Sequence, residues 1–535
     1  LDGRHGRPRR DPRGGRMTAP PTTQMVNLTI EGRPVSVPAG TSILEAAKVA
    51  GVLIPHYCYH PGLPVAGVCR MCLVDVEKSP KLMPSCATAV AEGQVVHVHD
   101  PKSLEARKGV LEMLLINHPL DCPICDQSGE CELQDYTFQE GRADSRYREP
   151  KRFNPVEDFG GDVLYVPNRC ILCTRCVRFM DDVHHEAVLN VSERGDRAVI
   201  GKAPDADLIQ PWAGNVVDLC PVGALLSKDF LNKARAWELD RAASVCTGCS
   251  QGCNIMIETR DNAVVRLKPR PNEDVNGFFM CDEGRMNYRW MNRQDRCVAP
   301  ATGGGESDWD AAITAAADAL TGRKARIVAN GSLGNEAFWL LARLARKTDG
   351  AVSFTVPTGP EAPLPGVEDL ALRADRVANA TGAELLGASR ASDPWAGTGS
   401  GDVLVLVDLD PAVVPAAPVA AAGGVIWIGT IDPASLARRN AVLPLANVAE
   451  SEGTLTNLHG RVQRHLQAKA APGQARPAWF VLADLLAALG EEADYRTASE
   501  AFAAMARSVP AFAGTSYDSL GLRGAAVVGG LAGAR

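Results

Sequence analysis

Asn168-Arg-Cys-Ile-Leu-Cys-Thr-Arg-Cys-Val-Arg178 sets three cysteines two residues apart, and a fourth follows in the pair Cys220-Pro221. That spacing suits metal chelation better than a framework of disulfide bridges. No hydrophobic signal segment stands at the N-terminus, which reads Leu1-Asp-Gly-Arg-His-Gly-Arg-Pro-Arg-Arg10. The whole chain has 535 residues, 46% hydrophobic and 22% charged, which is enough for several domains with buried cores. All sixteen cysteines lie between Cys58 and Cys297, so a cysteine-bearing half precedes a cysteine-free one. A formal charge of -7 argues against a nucleic-acid binder. No breaker-free apolar run of about 18 residues is present. The nearest, Pro411 to Ile431, carries three prolines and three glycines and reads as loop, short helix and strand. Residues 1 to 16 carry a charge of +4. They are expected to be disordered or to lie ahead of a start at Met17, within a leader that ends at residue 24.

Outward from the Cys170 run, spacing sorts the cysteines into four sets. Cys58, Cys69, Cys72 and Cys86 form C-x10-C-x2-C-x13-C, and His118, Cys122, Cys125 and Cys131 form H-x3-C-x2-C-x5-C. Cys170, Cys173, Cys176 and Cys220 are the third set, and Cys246, Cys249, Cys253 and Cys281 form C-x2-C-x3-C-x27-C. Only Cys297 is left over. Zinc binds well to C-x2-C knuckles, and any one set taken alone leaves that alternative open. The third set moves the argument. C-x2-C-x2-C with a later Cys-Pro is the ferredoxin arrangement, in which the Cys before Pro ligates a cluster begun elsewhere. A two-cluster ferredoxin would carry two full runs, whereas Gln210 to Leu219 holds no cysteine. What survives is one complete ligand set for one cubane cluster.

The segments around the first two sets predict their scaffolds. Val26 to Val37 alternates and turns at Glu31-Gly32, which predicts a hairpin. Ser42-Ile-Leu-Glu45 is a capping-box signal for a helix over Ile43 to Val49, ended by Gly51. Hairpin, helix and a Cys-rich loop describe a β-grasp [2Fe–2S] domain, although the loop departs from the plant-type C-x4-C-x2-C spacing. Before the second set, Leu104 to Ile116 reads as a helix with Val110, Leu111, Leu114 and Leu115 on one face. A histidine followed by proline near a helix end is more often a cap or surface residue. Here the three cysteines are one ligand short, which predicts His118 as a ligand through a ring nitrogen. A neutral imidazole in place of a thiolate changes a cluster's net charge and hence its potential.

Leu111-Glu-Met-Leu-Leu-Ile-Asn-His-Pro-Leu-Asp-Cys-Pro-Ile-Cys-Asp-Gln-Ser-Gly-Glu-Cys-Glu-Leu-Gln-Asp135 resembles the signature of the large iron–sulfur subunit of respiratory complex I. Asn168 to Arg178, Asp218-Leu-Cys-Pro-Val-Gly-Ala224 and His56-Tyr-Cys-Tyr-His60 resemble the same family, and the similarity runs from about Met25 to Met286. The resemblance implies a [2Fe–2S] cluster on Cys58, Cys69, Cys72 and Cys86. It implies [4Fe–4S] clusters on His118, Cys122, Cys125 and Cys131, and on Cys170, Cys173, Cys176 and Cys220. The fourth set is similar to the Fe–S domain of molybdopterin oxidoreductases, which implies a third [4Fe–4S] cluster on Cys246, Cys249, Cys253 and Cys281, off the main electron path. The implied role is electron transfer from an NADH/FMN subunit towards quinone, with no complete NADH or quinone site, no catalytic residue and no FMN in this chain. The implied partners are the FMN/NADH-binding subunit, a thioredoxin-like [2Fe–2S] subunit and a ferredoxin-like two-cluster subunit. The implied place is peripheral, on the cytoplasmic face of the bacterial inner membrane, with proton translocation left to other subunits.

From Trp309 the chain reads α/β, with helices over Asp310 to Leu320 and Glu336 to Arg346. Strands are predicted over Ala325 to Ala329, Asp402 to Asp408 and Val425 to Ile428. Gly331-Ser-Leu-Gly334 lacks the full G-x-G-x-x-G spacing and reads as a tight strand-to-helix turn. Glu450-Ser-Glu-Gly-Thr-Leu-Thr-Asn-Leu-His-Gly-Arg-Val-Gln463 resembles a segment of the molybdopterin oxidoreductase fold. No cysteine follows Cys297, so a molybdenum ligand is lacking, and a docking role without molybdenum is expected. Cys297 itself reads as a small buried hydrophobe. Ala475 to Gly490 and Ser499 to Ala513 suggest helices before a Gly/Ala tail, with Trp479, Phe480, Leu485 and Leu486 in the core. The expected architecture is α+β and α/β multidomain. It comprises the β-grasp domain (25–102), the His/Cys3 segment (103–142) and a ferredoxin-like [4Fe–4S] domain (143–240). A small molybdopterin-oxidoreductase Fe4S4 domain (241–300) and a truncated α/β molybdopterin-oxidoreductase-like domain (301–535) follow. The rival readings are an iron–sulfur diaphorase subunit of an NAD-linked hydrogenase, a formate-dehydrogenase-like molybdenum oxidoreductase, an iron-only hydrogenase and a zinc scaffold.

Overall fold

The computed structural model describes residues 24–528. The basic leader and the last residues of the Gly/Ala tail, 1–23 and 529–535, lie outside the described residues.

One compact unit gathers the residues up to Tyr59, Val65–Ile116 and Asp135–Glu149. Its hairpin pairs Met25–Ile30 antiparallel with Arg33–Pro38 in unbroken register. Glu31 and Gly32 turn it at φ of 49° and 73°, the left-handed pair a two-residue loop needs to match strand twist. The helix spans Ile43–Val49, with the Glu45 N–H donating to Ser42 Oγ at 3.2 Å. Only half of the capping box forms, because Lys48 and the Tyr59 hydroxyl both donate to the Glu45 carboxylate at 2.7 Å. Val26, Leu28, Ile30, Val35 and Val37 bury against Ile43, Leu44, Ala46 and Ala47. Leu73–Val76, Met83–Pro84 and Gln94–His97 complete a five-stranded mixed β-grasp sheet. The next helix is Pro101–Leu115, opened by Asp100, whose carboxylate accepts the Lys102 and Ser103 N–H groups. Its buried stripe is Ser103, Arg107 and Leu111, not the expected face of Val110, Leu111, Leu114 and Leu115, of which only Leu111 is buried. Arg107 takes a core position because Glu140 and the Val98 carbonyl accept its guanidinium.

The other unit holds His60–Pro64, Asn117–Gln134 and everything from Pro150. A three-stranded sheet of Leu225–Ser227, Val163–Tyr165 and Glu157–Gly160 frames the third cysteine set. An antiparallel meander of Asp240–Val245, Asn254–Arg260 and Ala263–Pro269 carries the fourth. The cysteine-free region is an α/β domain on an eight-stranded sheet. Its central parallel strands lie in the order Ala441–Pro444, Gly424–Gly429, Asp402–Val407, Lys324–Asn330, Ala351–Thr355, Ser389–Arg390. The chain runs outward one way from Lys324–Asn330, then returns to Asp402–Val407 and runs out the other way. A topological switch point therefore falls between these two strands. The helices Trp309–Leu320, Asn335–Lys347 and Ala478–Ala488 bury Ala316, Leu340, Leu341, Leu344, Leu485 and Leu486 against the sheet. The last expected helix closes at Ser508 rather than Ala513, because Val509 turns extended before Pro510. Cys297 is 5% exposed and packs with Val328, Leu404 and Trp427, the hydrophobe the sequence suggests. Among the described residues no helix is long and apolar enough to cross a membrane.

Candidate metal centres

The third set is built by a strained turn. Leu172 and Thr174 hold φ of 53° and 60°, left-handed values that cost free energy outside glycine and asparagine. They rotate backbone N–H groups towards sulfur: Leu172 N–H donates to Cys170 Sγ at 3.4 Å, and Arg175 N–H faces Cys173. Cys220 receives the N–H groups of Val222 and Ala224. All four sulfurs line one small cavity with Tyr165, Ile171 and Ile200, and the Tyr165 hydroxyl faces Cys170. Burial pushes the Cys170 thiol up to about 11 and that of Cys173 to about 12. Only a bound cation would make four thiolates at neutral pH here.

The three cysteines of the second set lie near one another. Cys125 and Cys131 are buried and Cys122 is exposed. His118 Nδ1 is buried with no hydrogen-bond partner, the condition of a ring nitrogen reserved for a ligand. Burial, helped by the positive fields of Arg169 and Lys151, brings the imidazole down to about 4. It is therefore neutral, as metal ligation requires. A cradle for Cys125 comes from the third set's loop: a Cβ on Gly223 would stand 2.2 Å from Cys125 Sγ. The Glu132 N–H also donates to the Pro221 carbonyl at 3.0 Å, so the strands of chain after Cys131 and Cys220 are directly joined.

In the first set Cys58, Cys72 and Cys86 are buried and Cys69 half-buried. The Cys58 N–H donates to Cys69 Sγ at 3.4 Å. Hydrogen bonds from Cys69 and Cys86 hold the Cys58 thiol far down, and the one from Cys86 brings Cys72 to about 6. Gly67 and Arg70, at φ of 65° and 58°, curl that loop. In the fourth set all four sulfurs line one cavity with Met280, Gly284 and Leu372. Gly248 and Gly284 N–H groups donate to Cys246 and Cys281 sulfurs at 3.5 and 3.3 Å. A Cβ on Gly284 would sit 3.2 and 3.3 Å from those two sulfurs. Among the described residues no group of three or more His, Cys, Asp or Glu is spaced for a single metal ion. The third and fourth sets each line one small cavity, the room a multi-iron cluster needs. Sequence reading missed Tyr165, Gly223, Arg169 and Arg175. Their one signal was adjacency: Arg169 precedes Cys170 and Arg175 precedes Cys176.

A separate cavity of about 410 Å³ opens at the switch point of the α/β sheet, where Asn330 and Asp408 end their strands. Its lining includes the carboxylates of Glu336, Asp408, Asp410 and Glu452 against one guanidinium, Arg376, which Glu283 already engages at 3.2 Å. Burial raises Glu336 to about 7 and Asp408 to about 6. A phosphate-bearing molybdopterin is anionic, and this lining does not fit it. Gly331 packs against Phe354 and Val377, and the Ser332 N–H donates to Asn330 Oδ1, so the turn before the helix is structural.

Comparison with known proteins follows the same division. The model of the 2Fe-2S iron-sulfur cluster binding domain matches residues 23–101, and the NADH-ubiquinone oxidoreductase-G iron-sulfur binding region matches 107–146. The ferredoxin-like domain of NADH-quinone oxidoreductase subunit 3 matches 160–226. The molybdopterin oxidoreductase Fe4S4 domain matches 240–293, and the molybdopterin oxidoreductase model matches 425–488. Each cysteine set falls inside one match. A subunit of the NADH-quinone oxidoreductase of Rickettsia felis is 40% identical over 338 residues, 62% of this chain and 50% of that protein. The mitochondrial NADH-ubiquinone oxidoreductase 78 kDa subunit of Candida albicans is 44% identical over 302 residues, 55% and 42% of the two chains. The mitochondrial NADH dehydrogenase [ubiquinone] iron-sulfur protein 1 of Solanum tuberosum is 44% identical over 288 residues, 54% and 39%. A chain of an NAD+-reducing [NiFe]-hydrogenase is 29% identical, covering 39% of this chain and 90% of its own, at a TM-score of 0.36; that overlap is too slight to bear on fold or function. The chain spans about half the length of the curated relatives it matches. In its [2Fe–2S] and [4Fe–4S] binding domains the chain is similar to the large iron–sulfur subunits of NADH-quinone oxidoreductase.

Proposed function

We propose that the chain is an electron-transfer subunit of the peripheral arm of complex I, relaying single electrons from an NADH/FMN subunit towards quinone. The observation that carries this reading is the presence of four sets of four cysteine or histidine residues, most of them buried, each inside a matched iron–sulfur domain. Cys58, Cys69, Cys72 and Cys86 would hold a [2Fe–2S] cluster. His118, Cys122, Cys125 and Cys131, then Cys170, Cys173, Cys176 and Cys220, then Cys246, Cys249, Cys253 and Cys281 would each hold a [4Fe–4S] cluster. Such clusters carry one electron at a time and need neither substrate access nor a proton. The chain's own residues bury the sulfurs, direct N–H groups at them and keep His118 neutral. The second and third sets adjoin through Glu132 and Pro221, a short covalent and hydrogen-bonded route. Molybdenum and FMN are not part of the reading. The partners are an FMN/NADH-binding subunit, a thioredoxin-like [2Fe–2S] subunit and a ferredoxin-like two-cluster subunit, at the cytoplasmic face of a bacterial membrane.

The test is iron and acid-labile sulfide per chain after anaerobic purification, with low-temperature EPR of the reduced protein. Brown protein with about 14 iron atoms is expected. Colourless protein holding about four zinc ions would overturn the reading.

A further inference from the structure

Two ion pairs stitch the second and third cysteine sets together, and both have the same construction. Arg169, next to Cys170 in sequence, donates through Nε and Nη2 to Asp121 Oδ2 at 3.0 and 2.9 Å, and Asp121 is next to Cys122. Arg175, next to Cys176, donates to Glu132 Oε1 and Oε2 at 3.3 and 3.4 Å, and Glu132 is next to Cys131. Arg175 also donates to the Leu219 carbonyl at 3.3 Å, one residue before Cys220. In each pair the cation comes from the third set and the anion from the second.

The pairs are not symmetric in burial. The arginine side chains are 9% and 6% exposed, their carboxylate partners 32% and 36%. Water therefore screens the negative ends much more than the positive ones. Each pair presents a net positive face to the interior, although its formal charge is zero. The two cations also act on different ligands. The field of Arg169 falls on His118 and Cys125, and that of Arg175 on Cys173 and Cys220. A buried positive charge favours the more negative, reduced state of whatever centre it faces.

We infer that these pairs set the potential difference between the two adjacent centres, Arg169–Asp121 raising the His118 centre and Arg175–Glu132 raising the Cys170 centre. The inference rests on the cluster assignment proposed above and goes beyond it, because ligation alone says nothing about which outer charge tunes which centre. Arg169 and Arg175 are tuning residues that touch no electron donor.

The experiment is an EPR-monitored redox titration of the anaerobically purified full-length chain and its variants. Arg169→Gln is expected to lower the midpoint of the His118 centre and leave the Cys170 centre in place; Arg175→Gln is expected to do the reverse. Each should shift electron sharing between the two centres at least tenfold, in opposite directions, which is about 59 mV for a one-electron couple. Asp121→Asn and Glu132→Gln leave the buried cations in place and should raise the same midpoints. They decide the matter should the arginine variants not assemble, since truncating a guanidinium that is only 9% or 6% exposed also removes the packing around it. Midpoints that stay fixed, or that move together in every variant, overturn the inference. Wild-type protein without iron and sulfide would instead sink the cluster assignment itself.

Discussion

On the proposed assignment, Gly223 shows how much of a cluster site lies outside its ligands. It has no left-handed φ to justify a glycine; what excludes a side chain is Cys125 Sγ, 2.2 Å from where a Cβ would stand, with Gln127 Cβ at 3.1 Å. Backbone and sulfur cannot both keep their places, so Gly223→Ala is expected to lose the His118 centre, about four of 14 iron atoms. The Cys170 centre should keep its EPR signal. Retention of both signals would show that the loop yields cheaply. His118 makes a second residue-scale case. Its Nδ1 is buried and unpartnered, and a thiolate there would add one negative charge to the ligand set. His118→Cys should keep a cluster and lower its midpoint; an unchanged spectrum and potential would demote His118 to a bystander. The candidate ligands were legible because chelation imposes short, countable spacings. Gly223, Arg169 and Arg175 were not, because Gly223 and Arg169 act on Cys125 of the other set and Arg175 takes its carboxylate partner, Glu132, from beside that set, and no local pattern records that crossing.

Among the elements, the α/β boundaries expected between Asp310 and Ile428 were readable to within one residue, since apolar runs there have no competing demand, whereas the Ala-rich C-terminal helices were read too long. The helix Pro101–Leu115 was read on the wrong face because a salt bridge occupies the core position: Arg107 is fully buried against Glu140, itself 12% exposed. The helix Asn335–Lys347 hides a similar group. Glu336 in its first turn is 1% exposed, and it accepts from the Thr454 N–H at 3.1 Å, the Thr454 hydroxyl at 2.8 Å and the Tyr517 hydroxyl at 3.0 Å. Burial outweighs these donors and lifts its pKa from 4.5 to about 7. A carboxyl raised on folding contributes stability that is complete below its unfolded pKa and is lost as pH rises through the folded one. The α/β domain should therefore weaken between pH 5 and 8 by up to about 3 kcal/mol. Glu336→Gln, which cannot ionise, should flatten that slope and leave the variant the more stable at pH 8. Thermal unfolding of the full chain across that range measures it, and equal slopes would mean that another group carries the dependence.

At the scale of the molecule, the segment Glu450 to Gln463 gains a task that its sequence could suggest only by resemblance. It fastens the loop of the fourth cysteine set to the α/β domain. The Asn457 side-chain amide donates to the Gln251 carbonyl at 3.3 Å, and Gln463 donates to the Gly252 carbonyl at 2.7 Å. The Leu458 N–H reaches the Ser250 carbonyl at 2.9 Å, and the Ser250 N–H reaches that of Asp375 at 3.0 Å. Residues 250–252 are the whole interval between Cys249 and Cys253, so backbone groups of that turn are held by chain far away in sequence, at Asp375, Asn457, Leu458 and Gln463. Arg296 anchors the segment's other end, giving a buried fork to Glu450 at 2.6 and 2.7 Å. A domain without cysteines thus supplies the rigidity that a four-thiol site needs before it can retain a cluster. The consequence is selective. Asn457→Ala combined with Gln463→Ala removes two amide donors and leaves every sulfur, so about four iron atoms should be lost while the other three centres keep their spectra. Cys253→Ala serves as the reference for losing the fourth centre alone. If the double variant kept its full iron and an unaltered EPR spectrum at all temperatures, the turn would be self-supporting and the docking role of the α/β domain would have to lie elsewhere.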